Sequence, residues 1–235
     1  MTVSIVGTPT GAAGFAISIN QTVPSTATTN DLVIILAACT RFESSPDPST
    51  TNEWVFLTSE SSSWDSKLTL RTGIVGTDFS ASEVVAIGDL AGSAQNRAVG
   101  MMTLRSSTGN TPAITSPTTG RDFLAYTGDT SPIAPSISIG SANGMLLFLT
   151  SISNSTGAVT TTPPSGYSEV IDSGRTGASV HVSYIANPST GTSGTATSTA
   201  SLAGAWNALH IFASDLVPGP TPDPILATMS VTRGA

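Results

Sequence analysis

Apolar positions along the chain fall in short clusters separated by Gly, Pro, Asn and Ser/Thr turns. That spacing predicts many short strands. Residues 67–72 alternate, with Leu68 and Leu70 to one side and Lys67, Thr69 and Arg71 to the other. Val180, Val182 and Tyr184 repeat the pattern over residues 179–184, as half-buried strands require. Residues 32–36 and 145–149 do not alternate. Continuous apolar runs of this length predict strands buried on both faces, or strands at a subunit contact. No stretch longer than about ten residues carries a helical period, and residues 90–97 predict a single turn at most.

The clusters recur in one order. Val3-Ser4-Ile5-Val6 opens the first half, and Phe123-Leu124-Ala125-Tyr126 opens the second. Asp31-Leu32-Val33-Ile34 then corresponds to Gly144-Met145-Leu146-Leu147, and Trp54-Val55-Phe56-Leu57 to Tyr167-Ser168-Glu169-Val170. Residues 67–75 match 178–186, and residues 98–104 match 206–212. A repeat of this kind is the mark of a chain built from similar units. Six or seven short strands per half predict an all-β protein of two tandem antiparallel β-sandwich domains of jelly-roll-like type, related by internal duplication. The expected boundaries are 1–110 for the first domain and 111–217 for the second. A Gly/Pro/Thr linker over residues 108–120 would join them. Residues 218–235 form a Pro-rich linker and an extended C-terminal arm. Pro218, Pro220, Pro222 and Pro224 favour a semi-rigid conformer. Beyond them, Ile225, Leu226, Met229 and Val231 make a segment apolar enough for a strand, with no partner in the repeated plan. Such an arm is suited to strand addition on a neighbouring subunit.

Composition narrows the chemistry. Charged residues make up 10% of the 235 positions, against about 25% in ordinary soluble proteins. Ser and Thr account for about 30%; β-branched Thr fits a pleated surface and keeps strands soluble with few charges. One Lys, seven Arg and a net charge of −7 argue against a nucleic-acid groove. The longest apolar run, residues 32–39, is far short of the ~20 residues of a bilayer span. The opening Met1-Thr2-Val3-Ser4-Ile5-Val6 lacks the basic region of a signal peptide.

Few residues are left for catalysis. Cys39 is the single cysteine, so neither a disulfide framework nor a Cys-rich metal site is expected. His181 falls on the strand face opposite Val180 and Val182, and His210 lies between Leu209 and Ile211. Both read as sheet residues; a general base would need an orienting carboxylate within hydrogen-bond reach. Asp47, Asp65, Asp89, Asp129, Asp172 and Asp223 all neighbour Gly, Pro or Ser, and Asp78 lies two residues from Gly76 and Ser80. Those are turn contexts, in which Asp bonds its own backbone. No calcium loop, Gly-x-Ser-x-Gly elbow or phosphate-binding loop is present. No cofactor and no metal is expected. Among the aromatics, Trp64 is flanked by Ser and Asp and is the candidate for an exposed contact.

Four features carry a resemblance: the Asn30-Asp31-Leu32 and Asn143-Gly144-Met145 turns into buried strands, the loop Pro163-Pro164-Ser165-Gly166-Tyr167, the strand end Val182-Ser183-Tyr184-Ile185-Ala186-Asn187-Pro188, and the last strand Ala208-Leu209-His210-Ile211-Phe212. Together they resemble the β-sandwich structural proteins of tailed-bacteriophage virions. Residues 141–216 carry the likeness best. The first half departs from it, since no Pro-Pro-Ser-Gly precedes Trp54 and Val75-Gly76 stands where Ala186-Asn187 does. The resemblance implies a non-enzymatic virion protein, and within that class a capsid decoration or cement protein on the outer surface of the head. Its partners would be the major capsid protein and copies of itself, as a homotrimer, with no nucleic acid and no membrane. A tail or baseplate component is the alternative within the class; a carbohydrate-binding adhesin using Trp64 is the alternative outside it. Interface candidates are Trp64, Ile225, Leu226, Met229 and Val231. The family motifs define a module and supply no catalytic residues.

Overall fold

The computed structural model describes residues 2–39, 47–48, 55–61, 67–88, 94–114, 118–121 and 129–215. Every regular element in them is a strand. The first half holds β1 (Val3–Ile5), β2 (Thr10–Ala16), β3 (Ser18–Thr22), β4 (Leu32–Cys39), β5 (Asp47–Pro48), β6 (Val55–Ser61), β7 (Lys67–Ile74), β8 (Val84–Gly88) and β9 (Gln95–Ser106). The second holds β10 (Ala113–Ile114), β11 (Thr118–Arg121), β12 (Ile133–Ala134), β13 (Ser138–Ile139), β14 (Gly144–Ser153), β15 (Thr161–Thr162), β16 (Ser168–Arg175), β17 (Ala178–Ala186), β18 (Gly191–Thr192), β19 (Ala196–Thr197), β20 (Thr199–Ala200) and β21 (Ala205–Ser214). The protein is all-β, and its strands pair antiparallel throughout.

Each half builds one six-stranded sheet. The first runs β1-β9-β4-β7-β6 with β2 also on β9; the second runs β10-β21-β14-β17-β16 with β11 also on β21. The order of elements is the same in both. So is a bulge: the β6–β7 register slips between Phe56 and Thr58, and the β16–β17 register slips between Glu169 and Ile171. The residues facing those slips are Arg71/Leu70 and Ser183/Val182, one position out from the pairing of residues 67–75 with 178–186.

The two large sheets pack face to face, and the core between them takes ten buried residues from each half. Ile34, Leu36, Leu70 and Met102 meet Leu147, Leu149, Val180, Val182, Leu209 and Ile211 there. The outer face of the first sheet presents Val33, Ile35, Ala37, Val99 and Met101, covered by Val85 and Ile87 of the three-stranded sheet β3-β8-β5. The outer face of the second sheet presents Phe148, Ile152, Trp206 and Ala208, covered by Ala134, Ala196 and Ala200 of the short ladders β12-β19 and β15-β20. Ile137 and Ile139 cover Leu146 and Phe212 beside them. This layering explains the two apolar runs that fail to alternate. β4 and β14 are central strands with both faces in a core, and every residue of each is buried.

At one crossing the sheets come unusually close. Gly11 of β2 and Gly100 of β9 are register partners. A Cβ on Gly11 would lie 2.7 Å from Ser173 Cβ, and one on Gly100 would lie 3.1 Å from Ile171 Cδ1. Two glycines, side by side, admit Ile171 from the opposite sheet.

Three expectations change. The Gly/Pro/Thr stretch expected as a bare linker carries β10 and β11, which line the edge of β21; segments this short need only a few ladder bonds and tolerate such composition at a sheet edge. The turn expected over 90–97 gives way at its C-terminal end to β9, which begins at Gln95, because pairing with β2 and β4 outweighs local preference. Third, Ala113–Ile114 holds the place beside β21 that Val3–Ile5 holds beside β9, whereas the sequence pairing used Phe123-Leu124-Ala125-Tyr126, which lies outside the described residues.

Candidate functional site

The densest polar chemistry sits on the outer face of the second sheet. β17 alternates, so Val180 and Val182 enter the central core and His181 and Ser183 turn the other way. Register places His181 between Asp172 of β16 and Thr150 of β14. Asp172 Oδ1 lies 2.8 Å from His181 Nδ1, an ion-pair distance, but off the ring N–H direction, so no hydrogen bond is completed. Asp172 is therefore an exception to the turn reading of the acids: it lies inside a strand and faces an imidazole. Asp78 and Asp129 conform to that reading, accepting bonds from the backbone N–H groups of Ile74 (2.6 Å) and Ser131 (3.0 Å).

An Asp–His pair is two-thirds of a hydrolytic triad. Among the described residues no third member is bonded to the imidazole. His181 is 3% exposed, and its Nε2 has no hydrogen-bond partner. The hydroxyls of Thr150, Ser183 and Ser198 are buried and equally unpartnered, so none is bonded to the imidazole. Glu169, nearby at the exposed edge, has its carboxyl pushed up by partial burial and by the Asp172 charge, with His181 opposing.

The second histidine is fully engaged. His210 of β21 is completely buried. Its Nδ1 lies 2.9 Å from the Pro135 carbonyl oxygen, which can only accept, so Nδ1 carries the proton. Nε2 then accepts the Tyr167 hydroxyl at 2.9 Å. The two rings are nearly parallel, and Phe148 stands edge-on to both. Burial holds the His210 imidazole below its ordinary value, against the pull of the Pro135 bond. Burial also pushes the Tyr167 phenol up to about 12. Ser193 Oγ is 3.5 Å from Nδ1 but donates to the Gly194 carbonyl and accepts from the Ile137 N–H. The group is a neutral structural knot.

The remaining surface offers shallow relief. A hollow of about 130 Å³ is lined by Thr160, Thr161, Thr162, Thr199, Ala200 and Ser201, and one of about 340 Å³ lies beside Phe79, Val75 and Thr29. No group of three His, Cys, Asp or Glu side chains among the described residues is placed to hold a metal. No helix among them is long and apolar enough to cross a membrane. Of the sequence-derived interface candidates, Trp64, Ile225, Leu226, Met229 and Val231 all lie outside the described residues. Trp206 is packed in the outer core of the second sheet, with Tyr167 against it.

Sequence reasoning missed two polar contacts. One is the Asp172–His181 contact, whose register is set by the bulge between Glu169 and Ile171. The other is a surface ion pair: Arg105 Nε and Nη2 donate to the two carboxylate oxygens of Asp31 at 2.8 and 2.6 Å. The first exposed apolar side chains, Phe15 (59%) and Ile17 (52%), also went unremarked. No known protein family, curated protein or solved structure matches this chain.

Proposed function

We propose that the chain is a non-enzymatic structural protein of a tailed-bacteriophage virion, a capsid decoration or cement protein seated on the outer surface of the head. In this reading the two halves are duplicated sandwich modules of jelly-roll-like type, 1–110 and 111–217, followed by a tethering arm, 218–235. The shared strand order and the matching bulge support the duplication. One observation carries the functional reading: both histidines are buried inside the fold. His210 is bound at both ring nitrogens, and His181 is buried with no hydroxyl bonded to it. The chain as a whole is rich in Thr and Ser and only 10% charged, a composition suited to repeated, shape-matched docking. The expected partners are the major capsid protein and further copies of this chain, as a trimer.

Labelling purified virions with an antibody raised against the chain tests the reading by electron microscopy. Label distributed over the head is expected. Label confined to the tail or baseplate would move the protein there, and sugar-dependent binding to cells with no virion label would favour an adhesin.

A further inference from the structure

We infer that the outer edge of β2 is the receptor for the C-terminal arm of a second copy of this chain, which adds Ile225–Val231 to the first sheet as a further strand. The inference rests on the tethering-arm reading above and names the surface the arm takes.

β2 lies at the edge of its sheet. It hydrogen-bonds β9 along Thr10–Ala16, and no other described strand pairs with it. Thr10, Gly11, Ala13 and Phe15 are exposed along it. At its end Ile17 is more than half exposed, and so is Phe15, although the Arg175 guanidinium lies 5.8 Å from its ring centroid. An open edge is ordinarily guarded by charge, proline or a bulge. One edge strand of the second sheet, β16, is guarded by its bulge and by Glu169, Asp172 and Arg175. β2 itself carries no charge, proline or bulge along Thr10–Ala16; the charge that reaches it is Arg175 of β16, over the Phe15 ring. An unguarded edge this long is what strand addition uses.

The arm matches it. Residues 225–231 are as many as the seven of β2, carry no charge, and alternate Ile225, Ala227, Met229 and Val231 with Leu226, Thr228 and Ser230. The starting point of the arm is fixed. Asp215 accepts hydrogen bonds from Thr108 Oγ1 at 2.8 Å and Ser107 Oγ at 3.3 Å, just past the C-terminal end of β9. Nine residues, 216–224, then reach roughly 28 Å at the polyproline rise of ~3.1 Å per residue. From that end of β9, the arm would approach its own β2 in the direction β2 itself runs, giving a parallel pair. The strands of this protein pair antiparallel, and parallel pairing is slightly weaker. A second copy is free to arrive antiparallel, and cyclic exchange then covers every copy's edge.

Two experiments on the full-length chain test this. Chains carrying Ala13→Cys are mixed with chains carrying Met229→Cys and treated with a short bis-maleimide; Cys39 is buried. A covalent product containing one chain of each kind is expected. Sedimentation is run in parallel on Ala13→Lys/Phe15→Glu, whose sites are solvent-facing, and on the chain lacking residues 218–235. Both are expected to weaken self-association at least ten-fold, with circular dichroism unchanged. A crosslink only within a chain carrying both cysteines would overturn the inference in favour of pairing in cis. Loss of association on truncation but not in the edge variant, with no mixed crosslink, would overturn β2 as receptor and leave the tether in place. Association unaffected by truncation would remove the tether itself, and this inference with it.

Discussion

Asp31 shows how one side chain can set a strand's entry. Asn30 adopts a left-handed backbone, φ 74°, a conformation Asn tolerates better than most residues. It delivers the chain into β4. Asp31, 2% exposed, then accepts the Thr28 N–H at 2.7 Å and a two-pronged bond from Arg105, raising the guanidinium's proton affinity mainly through those bonds. Arg105 itself is partly exposed, which weakens the pair through solvent screening. The loss on Asp31→Ala is therefore set by the stranded Thr28 N–H and the broken fork together, about 2 kcal/mol. A lowered urea midpoint with unchanged m-value would record it; an unchanged midpoint would refute it. His210 gives a pH-dependent counterpart. Its folded proton affinity is depressed by burial, so below the ordinary value near 6.5 the unfolded chain takes up a proton that the folded chain resists. Stability from this source is full above that pH and falls as the solution is acidified. Urea midpoints at pH 7.5 and 5.5 should decline in the wild type and decline less in His210→Gln. Equal declines would show that the imidazole is not responsible.

Among the elements, the glycine pair Gly11–Gly100 controls the fit of the two sheets. Ile171, at the bulge of β16, fills the space they leave, so Gly100→Val drives branched carbons into it. Overpacking of this kind costs roughly 1–3 kcal/mol, read as a fall in thermal midpoint that Ile171→Ala partly reverses. No reversal would mean the two positions do not meet. The same elements mark how far the sequence can be read. β4 and β14 were visible as unbroken apolar runs, and β7 and β17 as clean alternations, because burial on one or two faces writes directly into residue order. His181 was placed on the correct strand and face, and His210 on the correct strand, for the same reason. The Asp172–His181 contact was not visible, because cross-strand neighbours depend on a register that a bulge shifts. Nor were β10 and β11: two- and four-residue edge strands take their pairing from β21 and carry almost no pattern of their own. The meeting of the two large sheets was equally hidden, since an apolar face does not say which other face will cover it.

That meeting decides how the molecule behaves as a unit. Residues such as Leu36, Met102, Leu147 and Ile211 are buried against the opposite half, and each large side chain of this kind contributes about 1.5–3 kcal/mol by leaving water. Separating the halves would uncover eight such positions and two alanines on each, a cost beyond the ~5–15 kcal/mol that holds a typical domain together. Each half also keeps an outer core of its own, Val85 and Ile87 on one side and Trp206 and Phe148 on the other, so local packing alone would allow independent folding. The magnitudes favour the shared core. Thermal unfolding is therefore expected to be one transition, with calorimetric and van't Hoff enthalpies equal and with Trp fluorescence and far-ultraviolet dichroism changing together. Residues 1–110 produced alone should aggregate or remain loosely packed. Two resolved transitions, or a cooperatively folded isolated half, would mean that the interface between the sheets is an accessory to two self-sufficient cores.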